Sequence, residues 1–120
     1  MKRGEVWLLK KYLTSNGKTV KQRKVVLLVN KPRVYPHNFW FCAEVKDWSL
    51  IFDKYEIPYK LRIEPNETNG FTKTIALCPY KVSSPFEADF IKKVGEIDAK
   101  ELWTIIEYVN ETSWDSKLEH

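Results

Sequence analysis

The stretch that most limits the fold is Lys21-Gln22-Arg23-Lys24-Val25-Val26-Leu27-Leu28-Val29-Asn30. Its unbroken apolar run, Val25 to Val29, is too short for a comfortable helix and is bounded by Asn30 and Pro32, so it predicts a buried central strand. A permanently charged guanidinium resists burial. Arg23 therefore belongs at the wet end of that strand, where its fork can meet a carboxylate or a phosphate.

The other segments supply neighbours for such a strand. Val6-Trp7-Leu8-Leu9 reads as a first strand buried on both faces and ended by Lys10 and Lys11. Asn16-Gly17 is the strongest turn signal, so Leu13 to Lys21 reads as an exposed basic loop whose lysines can cover an anion. Pro32 and Pro36 forbid regular pairing and make residues 31–38 a connection. Phe39 to Lys46 follows as a strand, with Ala43 and Val45 on one face and Glu44 and Lys46 on the other. Trp48 to Phe52 fits a short strand or a loop anchored by its rings, and Tyr55 to Ile63 alternates around Pro58 like an edge strand or a bend. Glu64 to Gly70 is a turn, and Phe71 to Cys78 is a strand that Pro79 should stop.

Ser84, Pro85 and Glu87 have the spacing of a helix start, with Ser84 as N-cap. The apolar spacing up to Gly95 fits a helix only loosely, leaving one helical turn followed by a strand through Ile91 to Ile97 as the alternative. Asp98 and Glu101 form a second capping box before Leu102, Ile105, Ile106 and Val109, the stripe of an amphipathic helix ending at Asn110. Many short strands followed by such a helix predict a mainly β, α+β fold: a small, strongly curved antiparallel sheet or partly open barrel, with a C-terminal amphipathic helix and one short additional helix. Residues 1–117 form a single domain on this reading, and Leu118-Glu119-His120 looks like the residue of a purification tag.

No apolar run approaches the roughly 20 residues of a membrane helix, and the start lacks the apolar region of a signal peptide, so a cytoplasmic protein is expected. Cys42 and Cys78 lack metal or redox spacing and read as buried free thiols, and His37 is the only internal histidine, which argues against a multi-ligand metal site. The net charge of +4 is concentrated in Lys10, Lys11, Lys18, Lys21, Arg23, Lys24, Lys31 and Arg33. That clustering points to an anionic partner, although a mildly basic solvated surface has the same composition.

Three landmarks carry a resemblance to a known family. Arg3-Gly4-Glu5-Val6-Trp7-Leu8 looks like an R-G-[DE]-[IV]-W-[LV] strand, Lys21 to Val29 like a K-x-R-P-V-V-V-L strand, and Ile91-Lys92-Lys93-Val94-Gly95-Glu96-Ile97 like a late K-K-[IV]-G-x-[IL] element. In this order they resemble the PemK/MazF/Kid family of toxin endoribonucleases from Lys2 to about Val109. The resemblance implies a small β-barrel with a C-terminal helix that forms a homodimer, cuts single-stranded RNA without metal or other cofactor, and is neutralised by an acidic antitoxin. It implies transphosphorylation, in which Arg23 offers paired donors to the phosphoryl oxygens.

The chain also departs from the family pattern. Lys24 replaces the proline after the arginine, Val45-Lys46-Asp47 stands where a Thr or Ser is usual, and Pro79-Tyr80-Lys81-Val82 replaces D-Q-[LIV]-[RK], leaving Lys81 as the basic position. Proton transfer then has His37, Glu44, Asp47 and Tyr80 as candidates, of which histidine is the side-chain type best suited to acid–base work near neutral pH. Catalytic candidates are Arg23, Lys81, His37 and Glu44; RNA-binding candidates are Lys18, Lys21, Arg23, Lys24, Lys46 and Tyr80. Trp40, Trp48, Tyr55, Tyr59 and Tyr80 can stack bases or fill the core. The alternatives are a member of the same fold that binds RNA or a protein without cutting, and a plain strand-end Arg23 paired with Glu5 or Glu44.

Overall fold

The Val25 run is the middle of a sheet in the computed structural model, which describes residues 1–10, 12–13, 19–20, 23–34, 37–48, 62–83 and 85–112, with backbone alone for 12–13, 19–20, 78–83 and 112. The strands are β1 (Glu5–Leu9), β2 (Tyr12–Leu13), β3 (Thr19–Val20), β4 (Lys24–Leu27), β5 (Cys42–Asp47), β6 (Arg62–Ile63), β7 (Ile75–Ser83) and β8 (Phe90–Glu96). Six of them form one antiparallel sheet in the order β6-β7-β5-β4-β1-β8, while β2 and β3 form a separate two-stranded ladder. Val25, Val26, Leu27 and Leu28 are all fully buried, as a central strand requires.

Alternation along β4 feeds two separate clusters, because successive side chains leave opposite faces of a strand. Val26 and Leu28 join Val6, Ala43 and Leu77 beneath helix α1 (Ala99–Thr112). Val25 and Leu27 join Leu9, Trp40 and Cys42 on the other face, with Trp7 and Phe90 packed against them. Both faces of the central strands are thus covered. Leu102, Ile105, Ile106 and Val109 are all buried. Burying such side chains is worth roughly 2 kcal/mol each, against about 1 kcal/mol for a cap, so tertiary packing rather than the cap holds α1. The cap is nonetheless formed, with Glu101 N–H donating to Asp98 Oδ1 at 2.8 Å. Asn110 does not end the helix, which continues to Thr112.

The two outer strands, β6 and β8, do not pair with each other, so among the described residues the sheet is open and the expected barrel is not closed. The turn between β6 and β7 nonetheless reaches β8: Glu96 N–H donates to the Thr68 carbonyl at 2.9 Å. The side chain of Asn69, fully buried, fixes this turn. Its Oδ1 accepts from the N–H groups of Asn66 and Phe71, and its Nδ2 donates to the Glu64 carbonyl. Gly70 (φ +74°) and Gly95 let the two backbones meet: a Cβ on Gly95 would lie 2.4 Å from the Asn69 carbonyl carbon. Gly95 therefore sits inside β8 as a contact glycine and does not close a helix.

Pro79 does not stop its strand. β7 runs through it because the ladder steps there: Glu44 pairs with Cys78 and Ala43 with Val82, leaving 79–81 looped out as a bulge. A residue without an N–H is tolerated at such a place. The strand begins later than expected, at Ile75 rather than Phe71. The helix expected from Ser84 is a 3-10 turn, Glu87–Asp89, capped by extended Phe86 without a side-chain hydrogen bond; Ser84 itself lies outside the described residues. Glu87 is occupied elsewhere, as described below. Of the expected basic loop, Tyr12–Leu13 and Thr19–Val20 form a small ladder, and residues 11, 14–18, 21 and 22 lie outside the described part. So do residues 49–61, including most of the segments expected as strands from Trp48 and Tyr55. In the described part of the Pro32–Pro36 connection, Arg33 forms a bridge with Phe39.

Candidate nucleic-acid interface

Arg23 stands just before β4, and its Nη1 meets Glu44 Oε1 at 2.5 Å. Their side chains are 30% and 9% exposed, so the arginine opens to solvent while the carboxylate does not. Alternation alone puts Glu44 on a solvent face. It is buried because that face carries its own apolar cluster, with Cys42 two residues earlier on the same side. A buried carboxylate needs a partner, and Arg23 supplies it, so the strand-end ion pair expected as the alternative to phosphate binding is formed, with Glu44. Glu5, the other candidate partner, is engaged with Lys93 Nζ at 3.2 Å and Trp7 Nε1 at 3.0 Å. Burial opposes its charge, but the hydrogen bonds from Trp7 and Lys2 together with Lys93 outweigh that and hold its pKa below the ordinary value.

Register extends this site across the sheet. Lys46 lies two residues beyond Glu44, on the same face, and is exposed. It pairs with Ala76, which pairs with Arg62. Directly paired residues share a face, so Arg23, Lys46 and Arg62 lie on the side of the sheet opposite α1. Arg62 Nη2 meets Glu64 Oε1 at 2.7 Å, and its guanidinium lies 5.6 Å from the centre of the Trp48 ring. Cys42 is a buried thiol on this face. Burial and then the Glu44 charge push its pKa far up, only partly opposed by Arg23, so it stays protonated.

Lys24 is not part of this face. Adjacent to Arg23 in a strand, it points the other way, where Nζ donates to the Gly70 carbonyl at 3.1 Å and lies 5.8 Å from the centre of the Phe71 ring. Lys24 thus clamps the turn that reaches β8. Asp47 also leaves by the other face and meets Lys73 at 3.8 Å. Tyr80 and Lys81 belong to the β7 bulge opposite the Ala43–Glu44 step, which puts their backbone beside Glu44; their side chains, like all of Lys18 and Lys21, lie outside the described part. Trp40 is 3% exposed, which removes it as a stacking platform.

His37 is placed elsewhere. It lines an open cleft with Asn38, Phe86, Glu87, Ala88 and Asp89, and its ring stands edge-on to Phe86, 5.9 Å between centres. No contact joins His37 to Arg23 or Glu44 among the described residues.

No family model matches the chain, and no curated protein matches it significantly. The site therefore rests on its own geometry. Two residues, one on this face and one in the His37 cleft, escaped sequence reasoning. Arg62 lies outside the basic cluster of the first third of the chain, and only its polar place in the alternating Leu61-Arg62-Ile63 pattern marks it. Glu87 looked like a capping residue because it follows Ser84 at the right spacing. Among the described residues there is no cluster of three or more His, Cys, Asp or Glu suited to a metal, and no helix is long and apolar enough to cross a membrane.

Proposed function

We propose that the face bearing Arg23, Lys46 and Arg62 binds the backbone of single-stranded RNA, and that the chain is a PemK/MazF/Kid-like endoribonuclease that cuts RNA there without a cofactor. The observation that carries this reading is the Arg23–Glu44 pair at the mouth of the central strand. It combines a phosphate-binding fork with a proton acceptor on a rigid element. When a phosphate takes the guanidinium, Glu44 accepts the proton of the RNA 2′-hydroxyl. The 2′-oxygen forms a bond to phosphorus and the bond to the 5′-oxygen breaks. The products are a cyclic 2′,3′-phosphate and a 5′-hydroxyl whose proton comes from water.

The three resemblance landmarks support the reading because they fall on adjacent strands, β4, β1 and β8. The family's barrel belongs to the same proposal: the Thr68–Gly70 turn already spans from the β6 side to β8, the direction in which this sheet would close. A homodimer and an acidic antitoxin segment lying over the basic face complete it.

One observation favours a second reading, an RNA-binding protein that does not cut. Glu44 Oε1 is already engaged by Arg23, a strand-end pair complete in itself without a phosphate or a ribose. Incubation with mixed single-stranded RNA in EDTA separates the two. Cleavage with cyclic-phosphate ends, abolished in Arg23→Ala, supports the nuclease. Intact RNA bound in a salt-sensitive way supports the second reading, and neither cleavage nor binding at low salt removes both.

A further inference from the structure

The cleft around His37 is not used by the phosphate-binding face and has features of its own. It encloses about 480 Å³, within the range of small-ligand pockets. Its fixed point is Glu87. Trp40 Nε1 donates to Glu87 Oε1 at 3.2 Å and Asn38 Nδ2 donates to Oε2 at 3.0 Å. Because Trp40 is buried, this ties the carboxylate to the core. Each carboxylate oxygen retains acceptor capacity beyond that one bond, so Glu87 offers two parallel acceptors held in a set orientation. Phe86, 49% exposed, supplies an apolar wall, with His37 edge-on beside it. The charge of Asp89 is met by Lys10 Nζ at 3.5 Å.

We propose that this cleft is a subsite for a guanine base of the RNA, an inference that rests on RNA binding at the Arg23 face. Guanine alone among the four bases carries N1–H and N2–H₂ side by side on its Watson–Crick edge, matching the two oxygens of Glu87. Its ring stacks on Phe86, in the way single-stranded RNA is commonly held. The cleft and the ion pair are connected along one side of the sheet. Glu87 holds Trp40, and Trp40 packs in the cluster with Cys42, two residues before Glu44. Trp40 to Glu44 spans roughly 13 Å of extended chain, a distance that a short run of nucleotides covers. An arginine of a protein partner also presents two parallel donors. The connection along one side of the sheet to the Arg23 face favours the nucleotide.

The test uses the full chain and 2′-O-methyl RNA pentamers, which cannot be cut: UUGUU, UUAUU, UUCUU and UUUUU, followed by fluorescence anisotropy. The expected result is binding of UUGUU about tenfold tighter than the others. That preference disappears in Glu87→Gln, while affinity for UUUUU is unchanged. Phe86→Ala, at a half-exposed position that leaves the core intact, weakens UUGUU by a similar factor and serves if the Gln variant does not fold. Equal, salt-sensitive affinity for all four overturns the guanine subsite and leaves RNA binding standing. Absence of RNA binding, with guanosine monophosphate still shifting the His37 ring signals more than adenosine monophosphate does, keeps the subsite and removes the RNA-binding reading. Shifts produced by an arginine-rich peptide and by neither nucleotide overturn the subsite in favour of a protein partner.

Discussion

Replacing Gly95 by alanine tests the contact that carries the Thr68–Gly70 turn to the far edge of the sheet. The added Cβ would lie 2.4 Å from the carbonyl carbon of Asn69, 2.5 Å from its oxygen and 2.6 Å from the Thr68 oxygen, against 3.4–4 Å for ordinary contact. All three neighbours are backbone, so no side chain can turn away, and the turn must retreat by about 1 Å. It is pinned on both sides, by the buried Asn69 side chain and by the bond from Glu96 N–H to the Thr68 carbonyl. The retreat breaks that bond, for about 1 kcal/mol, and strains the packing by about 2 kcal/mol. A chain of this length has an unfolding entropy of about 0.25 kcal/mol per degree, so a loss of about 3 kcal/mol lowers Tm by about 12 °C. Circular dichroism melting measures it. Gly4→Ala is the control: φ is +91°, but the Cβ would meet the end of the Leu102 side chain at 3.2 Å and the Ile97 carbonyl oxygen at an ordinary 4.0 Å, so the cost is about 1 kcal/mol of backbone strain and about 4 °C. A Gly95→Ala protein melting within about 2 °C of the parent, or a larger loss in Gly4→Ala, refutes the packing argument.

Asn69→Ala leaves two N–H groups and a carbonyl of the same turn without their partners, and urea unfolding should show a loss of about 3 kcal/mol. Glu101 has its pKa raised to about 7 by burial first, then by its hydrogen bond to Asp98 and the Asp98 charge. The folded state therefore holds this proton more tightly than the unfolded chain does. The stability it contributes is full below about pH 4.5 and falls as pH rises to about 7. Glu101→Gln should flatten that part of the stability profile and gain stability over the parent at pH 8.

Much of the fold is legible because period and burial agree. The Val25 run, the Leu102 to Val109 stripe and the Glu64 to Gly70 turn each point to one structure, and each forms. The errors arise where a local rule meets a tertiary exception. Pro79 reads as a strand end, yet a bulge opposite Ala43–Glu44 absorbs its missing N–H. Glu87 reads as a capping residue, yet Asn38 and Trp40, distant in sequence, claim its carboxylate. The site is half legible. Arg23 at the strand mouth follows from charge, but the strand period already separates it from Lys24, and counting lysines hides that. The burial of Glu44 depends on a second apolar cluster on the outer face, which alternation in one strand does not reveal.

Joint contact of Arg23, Lys46 and Arg62 with RNA phosphates, as proposed, is read directly by the salt dependence of binding. For single strands the slope of log K against log salt is about −0.7 per phosphate neutralised, so three contacts give about −2. Measured with a 2′-O-methyl pentamer, Arg23→Ala, Lys46→Ala and Arg62→Ala should each reduce that slope by about 0.7, while Lys24→Ala, on the other face, leaves it unchanged. Slopes unaffected by the first three substitutions, or reduced only by Lys24→Ala, contradict the assignment.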